Sequence, residues 1–113
     1  MITRYALFEG RIHDGQQDAF RAAILAEVLP EWQSFPGALA VRVSFAEFRD
    51  EGAPQIPMIL AISYPDLATV ETALASPART RAKAATDAVL ARFFDGRIHH
   101  HVTTAHDHVL TPA

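Results

Sequence analysis

Three consecutive histidines, His99-His100-His101, stand near the end of a 113-residue chain, and His106-x-His108 follows them. In an extended segment, residues two apart share a face at a separation of about 7 Å. His99 and His101 therefore point to one side, where two imidazoles can converge on a metal ion or one can act as a general base. The same parity gathers other polar groups. Over residues 5–12, Ala6, Phe8, Gly10 and Ile12 make an apolar face and leave Leu7, Glu9 and Arg11 on the other. Over 39–48, Leu39, Val41, Val43 and Phe45 alternate with Ala40, Arg42, Ser44 and Ala46, and near the histidines Ile98 and Val102 oppose Arg97, His99 and His101. With the apolar faces turned to a common core under the helices, Leu7, Glu9, Arg42, Ser44, His99 and His101 are expected to line one ligand-binding chamber. In it Arg42 grips Glu9 with two hydrogen bonds or holds an oxyanion, and His99 or His101 anchors a ligand or takes its proton. In the competing expectation Glu9 and Arg42 only neutralise each other, and the histidines lie partly exposed at an edge.

Much other chemistry lacks its residues. No carboxylate joins a histidine pair in an H-E-x-x-H spacing, so no physiological metal, haem included, is expected, with His99 and His101 the candidates if one binds. The chain has no cysteine, which excludes disulfides, thiolate nucleophiles and Cys-containing zinc sites. Neither a Gly-rich phosphate loop nor a G-x-S-x-G elbow is present, and no organic cofactor is expected. Ten basic against thirteen acidic residues give a net charge of −3, with no run of like charge and no K/R-G-F-type strand, so nucleic acid is not an expected partner. The first residues alternate at once instead of forming a charged and then apolar leader, and the longest uncharged stretch, 53–64, is broken by polar residues and prolines. A soluble cytoplasmic protein with no membrane segment is the expectation.

Three further groups have plain readings. Arg79 and Lys83 share one face of a helix and Arg81 another, which looks like a solvated surface more than an anion clamp. Trp32 and Phe35 flank a turn and read as core cover more than as a ligand mouth. Tyr5 and Tyr64 can present phenols to a ligand, and their plain reading is as contacts between copies of the chain.

The elements that must position these residues follow from local signals. A strand over 5–12 leads to Asp14, which with Gln17 resembles a capping box opening a helix over 15–29. Pro30 weakens the last turn, an extra turn over 31–34 places Trp32, and Phe35-Pro36-Gly37 is a turn. A strand over 39–48, a polar loop over 49–55 and a strand over 58–64, apolar on both faces, come next. Asp66 caps a helix through Leu74, and Ser76-Pro77 opens a second over 78–93, with Gly96 as its stop and a strand over 97–103 beyond it. The order βαββαβ is that of a ferredoxin-like α+β domain, a four-stranded antiparallel sheet with helices on one face. One such domain over 1–113, with a core over about 4–104 and a loose tail over 105–113, suits this length.

The uncovered sheet face would show Tyr5, Leu7, Ala40 and Ala46 to water, and a second copy packed sheet against sheet is the simplest cover. Phe8-Glu9-Gly10-Arg11-Ile12, the helix end at Leu29-Pro30 with Trp32, the Phe35-Pro36-Gly37 turn, Tyr64-Pro65-Asp66 and Ser76-Pro77 resemble the dimeric α+β barrel superfamily, especially its EthD-like branch. The resemblance spans about 4–104 and implies a homodimer whose sheets enclose a barrel, with a cleft in each subunit between sheet and helices or inside the barrel. That superfamily holds monooxygenases, decyclases, isomerases and haem proteins, and none of its catalytic motifs carries over residue by residue. The expected function is binding of a small apolar or aromatic metabolite, with cofactor-independent chemistry of oxygenase or isomerase type. The alternative is a non-catalytic structural or interaction module, for which a filled interior would speak.

Overall fold

The computed structural model describes residues 1–112, and its four strands are β1 (Ile2–Ile12), β2 (Ala40–Phe45), β3 (Met58–Tyr64) and β4 (Phe94–Thr104). They pair antiparallel in the order β2-β3-β1-β4. Between β1 and β2 run α1 (Gln17–Ala23), a π-helical turn (Ile24–Val28) and α2 (Leu29–Trp32), while α3 (Leu67–Leu74) and α4 (Pro77–Phe93) join β3 to β4. The fold is ferredoxin-like α+β, as the order of elements predicts.

Strand parity decides what each face of the sheet presents. Across the four strands Phe45, Met58, Phe8 and Ile98 form one row, Val43, Leu60, Ala6 and His100 the next, and Val41, Ile62, Arg4 and Val102 a third. These rows face the helices, whose Phe20, Ile24, Val28, Trp32, Val89 and Phe93 share one core with Ala6, Phe8, Met58, Leu60 and Ile62. On the opposite face Ser44, Ile59, Leu7 and His99 form one row and Arg42, Ala61, Tyr5 and His101 another. Leu39 and Val102 share the core parity but are 61% and 50% exposed. One precedes the edge strand β2 and the other sits on the edge strand β4, where helices give little cover, so the expectation that both pack inside is corrected.

Two helix starts form as predicted. The Asp66 carboxylate accepts the Thr69 N–H at 2.8 Å and the Thr69 hydroxyl at 2.6 Å, and Ser76 caps α4 with Pro77 as its first residue. Asp14 does not cap α1, because Arg11 takes its carboxylate, and the helix opens only at Gln17 without a side-chain cap. Gly96 is not a helix stop. The chain passes from Phe93 directly into β4, and Gly96 pairs with Gly10 across the β1–β4 ladder. A Cβ on Gly96 would lie 2.8 Å from both the Gly10 Cα and the Phe94 Cε1 atom, so glycine is required there by close approach of two strands under a ring.

Candidate functional site

The interlayer space is filled at one end and open at the other. Phe20 lies 6.4 Å, centroid to centroid, from Phe45, Phe93 and Phe94, and Phe8 stands at the same distance from Phe94. Further along, the sheet contributes Ala6 and α4 contributes Ala82 and Thr86. Small side chains from both layers leave a cleft of about 270 Å³. Phe8, Leu60, Ile62 and Ile98 line it from the sheet, and Trp32 and Phe35, both buried, line it from the helical side. Thr86 donates its hydroxyl back to the Ala82 carbonyl at 2.7 Å and leaves no unmet polar demand there.

The rest of the lining is charged or titratable: Arg4 from β1, His100 from β4, and Arg79, Lys83 and Asp87 from α4. Lys83 Nζ donates to Asp87 at 3.1 Å, which neutralises that pair. Among the described residues no carboxylate comes within ion-pair distance of Arg4 or Arg79. Burial, and then the Arg79 charge, hold the Arg4 guanidinium below its ordinary value. Burial, followed by the charges of Arg4, Arg79 and His99, lowers His100 from 6.5 to about 4, so its imidazole is neutral at neutral pH. Next to Ile62 on the strand, Tyr64 is fully buried and its hydroxyl has no hydrogen-bond partner. Burial pushes that phenol up, and the Arg4 charge opposes the rise. The cleft thus joins an aromatic interior to two uncompensated cations and a neutral imidazole.

The residues predicted from parity occupy the other face of the sheet. Arg97 donates to Glu9 Oε1 at 3.3 Å, and His99 Nε2 lies 3.1 Å from the same oxygen. That second contact has ion-pair distance but not hydrogen-bond alignment, and His99 Nε2 is buried without a hydrogen bond. The His99 and His101 rings stand 5.8 Å apart. Arg42 is exposed on β2 and shares a row with His101, from which three strand spacings, about 14 Å, separate it. It makes no ion pair with Glu9, whose partners come from the neighbouring strand β4, so the expected Glu9–Arg42 grip is corrected. Leu7 is partly buried and Ser44 exposed in the row that holds His99. Tyr64 belongs to the core and not to the open face, which corrects its reading as a contact between copies.

The cleft residues had a signal in the sequence. Arg4 and His100 are the polar members of otherwise apolar alternations with Ala6, Phe8 and Ile98, and Arg79, one turn before Ala82 on α4, is half-buried while Lys83 stays exposed at the rim of the cleft. The solvated-surface reading is corrected for Arg79 and holds for Lys83.

No family model matches the sequence, and no curated protein matches it. Solved structures match over nearly the whole chain. An EthD (ethyl tert-butyl ether D) family protein from Bacillus halodurans superposes with a TM-score of 0.70 at 15% identity, over 94% of this chain and 99% of that one. A variant of SnoaB, a cofactor-independent oxygenase from Streptomyces nogalater, gives 0.62 at 16% identity over 96% and 95%. A dimeric protein of ferredoxin-like fold from Bacteroides fragilis gives 0.58 at 12% identity over 88% and 93%. At these identities the likeness is one of fold. Among the described residues no helix is long and apolar enough to cross a membrane.

Proposed function

We propose that the chain acts as a homodimer that binds a small, largely aromatic molecule in the cleft between α4 and the sheet and transforms it without an organic cofactor. The observation that carries this reading is the cleft of about 270 Å³, a size and an aromatic lining that suit a one- or two-ring ligand. Arg4 and Arg79 can stabilise negative charge that develops on such a ligand, and His100 offers a neutral nitrogen to donate or accept a proton. The cofactor-independent oxygenase among the structural matches supports the type of chemistry, and the dimeric match supports the pairing of open sheet faces. In that pairing Leu7, Glu9, Arg42, Ser44, His99 and His101 face the second copy, with the polar members around an apolar centre of Tyr5, Leu7, Ile59 and Ala61.

Thermal unfolding with 1-naphthoate and with 1-naphthamide at millimolar concentration tests the cleft. At least one probe should raise the midpoint, and Ile98→Trp, which fills the cleft from its edge, should remove the rise. A rise that persists in Ile98→Trp, or none with either probe in the wild-type chain, refutes the assignment of the site.

A further inference from the structure

We propose that the cleft selects a carboxylate-bearing aromatic ligand, its ring among Phe8, Trp32 and Phe35 and its carboxylate between Arg4 and Arg79. This inference rests on the cleft being the ligand site and names the class of ligand that it takes. Three observations support it. First, the chain is acidic overall, yet it leaves these two partly buried arginines without a carboxylate, while Arg11, Arg21, Arg81, Arg92 and Arg97 each have one. Arg42 and Arg49 are also without an ion pair but are exposed to water, which solvates them; Arg4 and Arg79 lie against an apolar wall and repel each other. Second, the one carboxylate that lines the cleft, Asp87, is occupied by Lys83, so the excess positive charge is not met from within. Third, the neutral His100 ring stands in the same field and can give one N–H to a bound oxygen without adding a third repelling charge.

A flat guanidinium matches a carboxylate through paired N–H donors, and two guanidinium groups on opposite layers can take one oxygen each. Inorganic phosphate would satisfy the charge but leave the aromatic walls empty, so it is not the expected occupant.

The test is isothermal titration of the full chain at neutral pH with 1-naphthoate, with its neutral near-isostere 1-naphthamide and with inorganic phosphate. Naphthoate should bind about tenfold or more tightly than naphthamide, which corresponds to about 1.4 kcal/mol. Arg4→Gln and Arg79→Gln should each remove most of that preference by weakening naphthoate far more than naphthamide, and Arg81→Gln, whose side chain pairs with Glu31, should change neither affinity. Equal binding of acid and amide overturns the charge selection and leaves the cleft as a neutral aromatic site. A preference that survives both arginine variants overturns the placement of the carboxylate. Phosphate binding as tightly as naphthoate overturns the aromatic requirement, and failure of both naphthalene probes to bind refutes the cleft reading itself.

Discussion

Replacing Gly10 by alanine tests whether the β1–β4 junction depends on two glycines meeting face to face. Gly10 has a φ of 151°, outside the usual range of residues with a Cβ, and an added Cβ would lie 2.6 Å from the Gly96 Cα and closer still to the Asp95 carbonyl oxygen. Ordinary contact begins near 3.4 Å, so the strands must part by close to an ångström at the point where Arg11 and Ile12 still have partners in the ladder. Backbone strain of about 1–3 kcal/mol and the weakening of one or two ladder hydrogen bonds at about 1 kcal/mol each give a loss of about 2–5 kcal/mol. Gly96→Ala meets the same steric conflict without a positive φ and should cost less. Gly15 and Gly52 have φ values of 74° and 82° but open space around the would-be Cβ, so alanine there should cost only about 1–2 kcal/mol. Urea denaturation followed by circular dichroism reads all four, and the expected order of loss is Gly10, Gly96, then Gly15 and Gly52. A Gly10→Ala protein no less stable than Gly15→Ala would refute the claim that strand contact, and not turn geometry, demands the glycine.

The buried Tyr64 hydroxyl is without a partner, so Tyr64→Phe should leave the unfolding free energy unchanged or raise it, and a loss above about 1 kcal/mol would reveal a hydrogen bond to that oxygen. His100 has a folded value of about 4 against 6.5 for the free side chain, so the unfolded chain binds the extra proton between these limits. Stability should fall as pH drops from 6.5 to 4, by less than the full linkage because the ring is partly exposed, and His100→Gln should flatten that segment of the denaturation profile. Leu7→Asp puts a charge in the apolar centre of the open sheet face, and sedimentation should show a monomer or an unfolded chain; a stable dimer would place the pairing surface elsewhere.

The sequence shows the architecture clearly because strand parity and helix caps are local: Val41, Val43 and Phe45, or Asp66 and Ser76, need only their near neighbours to be read. The parity of β1 and β4 likewise puts Glu9, His99 and His101 on one face. It carries no information on how far apart residues stand across the sheet. Charge alone therefore matches Arg42 to Glu9, although β3 lies between β2 and β1 and Arg97 on the neighbouring β4 takes Glu9 instead. The resemblance implies a cleft between sheet and helices, but its lining residues escape the sequence for a different reason. The cleft arises where Ala6 and Ala82 fail to fill space between layers, and emptiness is a property of two distant segments together. Arg4 and His100 sit among hydrophobic residues and look like exceptions to a core pattern until that space is seen.

The π-helical turn has a consequence for the cleft wall. Phe20, Ile24, Val28 and Trp32 recur at every fourth residue and all are buried. In an ideal α-helix each such step advances the side chain by about 40°, so three steps would carry Trp32 about 120° around the axis from Phe20. The wide turn, closed by the Leu29 N–H on the Ile24 carbonyl five residues back, has about 4.4 residues per turn and rotates the middle step backwards by about 30°. The net drift falls to about 50°, within the width of a single buried stripe. The wide turn thus absorbs one surplus residue in a segment whose Leu25, Ala26 and Glu27 are exposed, and keeps the aromatic wall in line. Removing Ala26 would restore a regular helix in which the eleven remaining steps put Trp32 about 20° from Phe20, so the shortened chain should keep Trp32 on the cleft wall.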